Sequence, residues 1–227
     1  MGRRQVEKTV SLISRKQGST RAEFRNYYET RHAVLGMKNF PFRKYLRNHV
    51  IAAPPDAGFD VFSEFWQDSV ATAYETMAGP IGDVMRADEA RFMDRSVQRA
   101  AKSHDRVVFG PPRGVDPTPT RKQILLLTRA ADTSPADFAA AAAKWGTKLA
   151  ESAPAGQIPR VALDIIEPFD NVGYPCDAVL SIWLGPSCDG IAFGDPPAGV
   201  YVKTAATVEA CETPPEVLAA SYNPGVD

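Results

Sequence analysis

Histidine is scarce in this chain. Three occur in 227 residues, at His32, His49 and His104, all in the first half. Long apolar runs are missing altogether, and none reaches the roughly 18 residues that a membrane-crossing helix needs. MGRRQVEKTV carries charge but no apolar stretch leading to a cleavage site, which argues against a signal peptide, and MGRRQV lacks the Ser or Thr of a myristoylation signal. Cysteine is limited to Cys176, Cys188 and Cys211, an odd number with no CxxC spacing. That pattern favours free, buried thiols over a disulfide framework or zinc site.

Charge of one sign is lacking too. Twenty-six basic and 27 acidic residues leave a net charge of -1, so nothing global points to nucleic acid or an anionic membrane. The first 50 residues are basic, but the charges are scattered over strand and helix positions and read as a solvated face. No GxGxxG, Walker or GxSxG motif occurs, so neither a nucleotide cofactor nor a serine-elbow hydrolase is expected. His32, His49 and either Asp60 or Glu64 could in principle form a facial metal triad. No HxxxH, HxH or HxxE spacing supports one, and no metal is expected. With 44% hydrophobic and 23% charged residues, the composition is that of a cytoplasmic globular protein.

What the sequence does contain is a repeat. VSLISR, GSTRAEF, RKYLRNHV and DVFSEFW recur in outline as ILLLTR, TSPADF, RVALDII and DAVLSIW. Phe24 falls on Phe138 at an offset of about 114, and Asp60 and Trp66 fall on Asp177 and Trp183 at about 117. At His32 and His49 the second copy has Gly146 and Ile165. One copy therefore carries the ionisable groups, and both carry the architecture.

In the first copy, Lys8 to Arg15 reads as a strand. Thr20 and Glu23 form a capping box for a helix ending near Leu35, with Gly36 as a left-handed cap. Phe24, Tyr28, His32 and Leu35 make one stripe facing a sheet. Phe42 to Ile51 is a second strand with Tyr45, Arg47 and His49 on one face. Phe59 to Trp66 is a third, with Asp60, Phe62, Glu64 and Trp66 together. Ser69 caps a short helix, a longer one covers about Asp83 to Lys102, and Arg106 to Phe109 closes a β-α-β-β-α-β unit of ferredoxin-like type. GPPRGVDPTPT is a stiff linker. The second copy starts near Lys122, with Ser134-Pro135 opening an alanine-rich helix. Its second long helix is expected to be missing or reduced to a turn, because Gly and Pro fill the stretch before Val200. The expected division is residues 1–110, a linker at 111–120 and a degenerate second unit at 121–227 whose end is a surface tail or docking arm. Each unit leaves one sheet face uncovered, so the expected fold is α+β, two tandem ferredoxin-like units forming an internal pseudo-dimer; a further homodimer is compatible with it.

His32 and His49 are the main candidates for acid–base work, since histidine titrates near neutral pH. Tyr28 and Tyr45 are candidate proton donors to a developing enolate or phenolate, although aromatics at these periods also serve as core. Phe24, Phe42, Phe62 and Trp66 are candidate walls of an apolar pocket. Asp60 could orient a histidine or bind substrate, but its recurrence as Asp177 favours a role in the fold. Glu64 needs a partner if buried, and Arg47 is the expected one. His104 reads as a surface residue.

ISRKQGSTRAEFRNYYETRHAVL, FRKYLRNHV, FDVFSEFW and ADEARFMDRS together resemble the EthD-like family of the dimeric α+β barrel superfamily. The matching positions are Arg15, Lys16 and Gly18; His32, Ala33 and Leu35; Tyr45, Asn48 and His49; Asp60 and Trp66; and Asp88, Glu89 and Phe92. Val34 stands where the family usually has proline. The resemblance covers roughly residues 6–110, and it implies the fold more firmly than the reaction, because reactions vary freely on shared folds. It implies accessory proteins of ether or hydrocarbon degradation, dehydration or decarboxylation of aromatic polyketides, or cofactor-free cyclases, monooxygenases and isomerases. The expectation is a cofactor-independent lyase-type enzyme that dehydrates, decarboxylates or cyclises a small hydrophobic, aromatic metabolite. A non-catalytic binding or accessory protein and a cofactor-free oxygenase are the alternatives.

Overall fold

The computed structural model describes residues 6–169 and 173–225, so part of the amino-terminal segment read as neither leader nor acylation site lies outside the described residues. The elements in chain order are β1 (Glu7–Ile13), α1 (Arg21–Tyr27), a π-turn (Tyr28–His32), α2 (Ala33–Asn39), β2 (Lys44–Ala52), β3 (Val61–Gln67), α3 (Val70–Ala78), α4 (Pro80–Phe92) and β4 (Arg99–Phe109). Then follow β5 (Thr120–Arg129), α5 (Pro135–Ser152), β6 (Arg160–Pro168), β7 (Ala178–Trp183), β8 (Val200–Thr213) and α6 (Pro215–Ser221). The class is α+β. No helix among the described residues is long and apolar enough to cross a membrane.

The chain divides into two compact units. The first holds residues 1–49, 58–100 and 212–227, and the second holds 50–57 and 101–211. This differs from a cut at a linker: most of β4 lies with the second unit, and the carboxy-terminal segment lies with the first.

In the first unit β1, β3 and β2 pair antiparallel in that order. Thr20 accepts from the Glu23 N–H while Glu23 accepts from the Thr20 N–H, so the capping box forms as its sequence dictates. The helix does not stop at Gly36. It runs to Asn39, and Gly36 is buried within it, where a Cβ would meet Phe42 at 3.8 Å. Its φ is not positive and a Cβ would make only ordinary contact, so neither backbone nor space demands glycine here. Ser69 caps α3 through the Thr72 N–H, and Pro80 opens α4, where its missing N–H has no helical partner to lose. The long helix expected through Lys102 ends at Phe92. Met93 is extended and bridges Arg15, Asp94 N–H donates to Ser14 O, and residues 99–109 are strand. Here pairing with neighbouring strands overrides helix propensity. The core gathers Ile13, Phe24, Tyr28, Tyr45, Val61, Phe92 and, from α6, Leu218. The carboxy-terminal segment is thus not a free arm: Leu218 is buried and Asn223 N–H donates to Lys38 O at 2.9 Å.

In the second unit the strand order is β8, β5, β7, β6, β4, all antiparallel. Helix α5 starts on Ser134, whose hydroxyl accepts from Asp137 N–H, and packs Phe138, Ala142 and Trp145 into an almost wholly apolar core. Residues 184–199 contain no helix. All three cysteines are buried, and none is in a disulfide.

The units share devices on corresponding residues. Asp60 accepts from Arg15 N–H at 2.9 Å and its own N–H donates to Ile13 O. Asp177 accepts from Arg129 N–H at 2.8 Å and its N–H donates to Leu127 O. Lys8 stacks over Trp66 with its Nζ 4.4 Å from the ring centroid, and Lys122 over Trp183 at 4.2 Å.

Candidate functional site

The site is built where the first helix lies on β2 and β3. Strand parity sends Tyr45, Arg47 and His49 to the helix side, and the register sets Tyr45 opposite Phe65 and Arg47 opposite Ser63. Ser63 Oγ lies 2.9 Å from Tyr28 OH, and Tyr45 OH donates to Tyr28 OH at 3.2 Å. Burial raises the pKa of both phenols, Tyr45 the more, so both remain neutral O–H groups.

Glu29 ties the strand to the helix. Its carboxylate takes a forked pair of bonds from Arg47, Nε at 3.1 Å and Nη2 at 2.8 Å, and lies 2.6 Å from His49 Nε2. Arg47 Nη1 also donates to Thr213 Oγ1 at 2.5 Å, and its guanidinium lies over the Tyr45 ring. Burial alone would favour the protonated Glu29, but the bonds from His49 and Arg47 outweigh it and hold the carboxyl at about 2. For His49 the balance goes the other way. Burial pushes its pKa down, and the Glu29 charge recovers only part of that.

An ionised Glu29 beside a neutral His49 fixes the tautomer. The Nε2 proton must sit between them, which leaves Nδ1 as a bare lone pair. His49 is 2% exposed, and Nδ1 is buried without a hydrogen-bond partner among the described residues. Groups of this kind are nearly always satisfied in folded proteins, so this one is open to a water, an ion or a substrate atom as its partner.

His32 has its own carboxylate. Its Nδ1 lies 2.9 Å from Asp88 Oδ2, and Tyr27 OH donates to the other oxygen at 2.8 Å. Burial opposes ionisation of Asp88, but the His32 and Tyr27 bonds prevail and lower its pKa. The Tyr28 ring lies between the two imidazoles, with centroids 5.0 Å from His32 and 5.6 Å from His49, both edge-to-face. Phe24 and Phe92 close the same cluster, and Phe42 packs on Tyr45 and Phe65.

The structure therefore brings together His32, His49, Tyr28, Tyr45, Arg47, Phe24 and Phe42. It does not bring Phe62, Glu64 or Trp66 to them. Those three share the parity that faces away from the helix, where Glu64 is paired with Lys8 at 2.7 Å and accepts from Asn48 at 3.0 Å. Arg47 is thus the partner of Glu29 and not of Glu64. Trp66 is stacked by Lys8 and Lys44. Asp60 is occupied by the Arg15 backbone, the Arg15 guanidinium and Arg21 Nε, the last at 3.0 Å. His104 is exposed against Glu167. A cavity of about 130 Å³ at the start of α3, bounded by Pro41, Gln67 and Thr72, holds none of these groups. Sequence reasoning does not reach Glu29 or Asp88 as site residues. The Asp88-Glu89 pair of the family pattern is the one signal that could have led to Asp88.

Residues 16–96 match the family model described as the EthD domain. No curated protein matches the chain. Among solved structures, the fold is similar to that of an anthrone oxidase-like protein, at 9% identity over 92% of each chain with a TM-score of 0.58. It is also similar to a protein provisionally named a chlorite dismutase, at 9% identity over 95% of this chain and 97% of that one, TM-score 0.51. A third is provisionally named a monooxygenase, from Fusobacterium nucleatum subsp. nucleatum, at 7% identity over 90% and 92%, TM-score 0.50. At such identities the likeness speaks for the fold alone.

Proposed function

We propose that the EthD domain of this chain is an acid–base site in which His49 Nδ1 removes a proton from a small, aromatic, hydrophobic substrate. The observation that carries this reading is the bare, buried Nδ1 lone pair, fixed by the short Nε2 contact to an ionised Glu29. On taking the proton, the imidazole becomes a cation that the Glu29 carboxylate is already placed to hold. Burial lowers the His49 pKa, which favours the base form. The electron pair left on substrate carbon or oxygen is stabilised as an enolate or phenolate by neutral O–H donors, for which Tyr28 and Tyr45 are suited. His32, held by Asp88, returns a proton to the leaving group. In a dehydration the carbanion pair becomes the new double bond, and the departing hydroxyl leaves as water with the proton from His32. Cyclisation uses the same first step. The second unit, with Ala142, Val161, Leu163, Ile165 and Leu180 in an apolar core, supplies architecture as a second ferredoxin-like copy of a pseudo-dimer.

A cofactor-free oxygenase is the second reading, favoured by the fold likeness to an anthrone oxidase-like protein. It shares the deprotonation and differs in what captures the carbanion. The test is solvent-deuterium incorporation into keto- and hydroxy-arenes, followed by NMR with oxygen uptake recorded alongside. Removing a general base costs about 10²–10⁴-fold in rate, so His49→Ala should lose exchange by that factor. Undiminished exchange in His49→Ala would remove His49 from the chemistry. Ligand-induced stabilisation without exchange would assign the domain to binding.

A further inference from the structure

Buried positions along the first helix run Phe24, Tyr28, His32, Ala33, and along α5 they run Phe138, Ala142, Trp145, Gly146. The spacings agree except between the second and third members. Glu29, Thr30 and Arg31 separate Tyr28 from His32, whereas only Ala143 and Lys144 separate Ala142 from Trp145. The first helix therefore has one residue more, and the π-turn is where it is housed: Ala33 N–H reaches back to Tyr28 O. Helix α5 is α-helical over its whole length. His32 thus corresponds to Trp145 and Ala33 to Gly146, not His32 to Gly146 as a constant offset would give. A Cβ on Gly146 would already press on Leu180 at 3.0 Å and Val161 at 3.1 Å, so its counterpart has to be small.

A π-turn sacrifices regular helical bonding and tends to persist where function needs it. Here the wider turn keeps Glu29 on the sheet side, in reach of both Arg47 and His49. We propose that this one-residue insertion is a positioning device: it delivers the Glu29 carboxylate that holds His49 with Nδ1 bare, and Glu29 is a positioning residue acting through His49. The proposal rests on the reading of His49 as the base, but it concerns where a proton sits and is testable without turnover.

With only three histidines, imidazole NMR resolves the site. In the full-length protein the short Nε2–Glu29 bond should give a slowly exchanging, far-downfield proton, which His49→Ala removes. Deleting Thr30, whose side chain is exposed, restores the α-helical count. A folded deletion variant should lose the downfield proton, and its His49 titration midpoint should fall by about one pH unit or more, the size expected for losing an adjacent opposite charge. Glu29→Gln should show the same fall, whereas a carboxylate serving only Arg47 would leave the midpoint unmoved. An intact His49 signal in either variant overturns the proposal. If neither the Thr30 deletion nor an Arg31 deletion folds, the extra residue is a requirement of the fold and the proposal is likewise overturned. Absence of substrate chemistry in a wild-type protein with the expected NMR signature would count against the base reading alone.

Discussion

Glu29→Gln should destabilise the protein in a way that vanishes in acid. The carboxyl titrates at about 2 in the folded protein against 4.5 as its ordinary value. At 1.36 kcal/mol for each tenfold difference in protonation, this depression corresponds to about 3 kcal/mol of stability. A depressed acid contributes fully above its unfolded pKa, and the contribution disappears as pH falls through the folded one. The window is therefore pH 5 down to pH 2. At pH 7 the substitution also strands the buried Arg47 guanidinium, and breaking a buried pair by removing one partner costs about 3–5 kcal/mol. For a chain of this size that is a drop of very roughly 6–20 °C in Tm, since each kcal/mol moves Tm by about 2–4 °C. Thermal unfolding of wild type and variant should be followed in parallel at pH 7, 5, 3 and 2. Other carboxylates titrate alike in both proteins, so the difference isolates Glu29 together with the His49 that it holds. A gap of under 1 kcal/mol at pH 7, or one that stays constant down to pH 2, would refute the account of the Glu29–Arg47–His49 cluster.

Asp60→Asn and Asp177→Asn should each cost about 1–3 kcal/mol, because each leaves a backbone N–H of Arg15 or Arg129 with a weaker acceptor. Neither should move the His49 titration, and a moved midpoint in Asp60→Asn would place Asp60 in the chemistry after all. Leu218→Ala should cost about 2–5 kcal/mol for its buried side chain, with faster proteolysis around residues 214–223. Unchanged Tm and cleavage would mean that α6 is not anchored through Leu218.

Much of the fold can be read from periodicity and capping. Thr20 and Glu23, Ser69, and Ser134 with Pro135 start the helices where their side chains satisfy free N–H groups. His32 and Tyr28 fall on the buried stripe, and Tyr45, Arg47 and His49 share a strand face as the two-residue period requires. Parity says which residues share a face, but it does not say which face meets the helix. Phe62, Glu64 and Trp66 were thereby expected in the pocket and Arg47 beside Glu64, whereas Lys8 from β1 supplies the Glu64 partner. Glu29 escaped because an α-helical count puts it off the stripe, and a π-turn leaves no residue signature of its own. Asp88 escaped because its meeting with His32 is a tertiary contact between two helices. The end of α4 and the length of β4 were missed for the same kind of reason, since strand pairing decides them and local propensity does not.

Thr213 and Leu218 give the site an unusual place in the history of each molecule. Arg47, which clamps Glu29, is itself held by Thr213, and the aromatic cluster around Tyr28 is closed by Leu218. On the ribosome the histidines emerge early, but the residues that complete their surroundings are added only after the whole second unit has been made. Domains often fold one after another as they leave the ribosome, and this chain cannot finish its first before its second. Until residues 212–223 arrive, the nascent first unit has an open core edge, so His49 acquires its finished surroundings only after the second unit has been made.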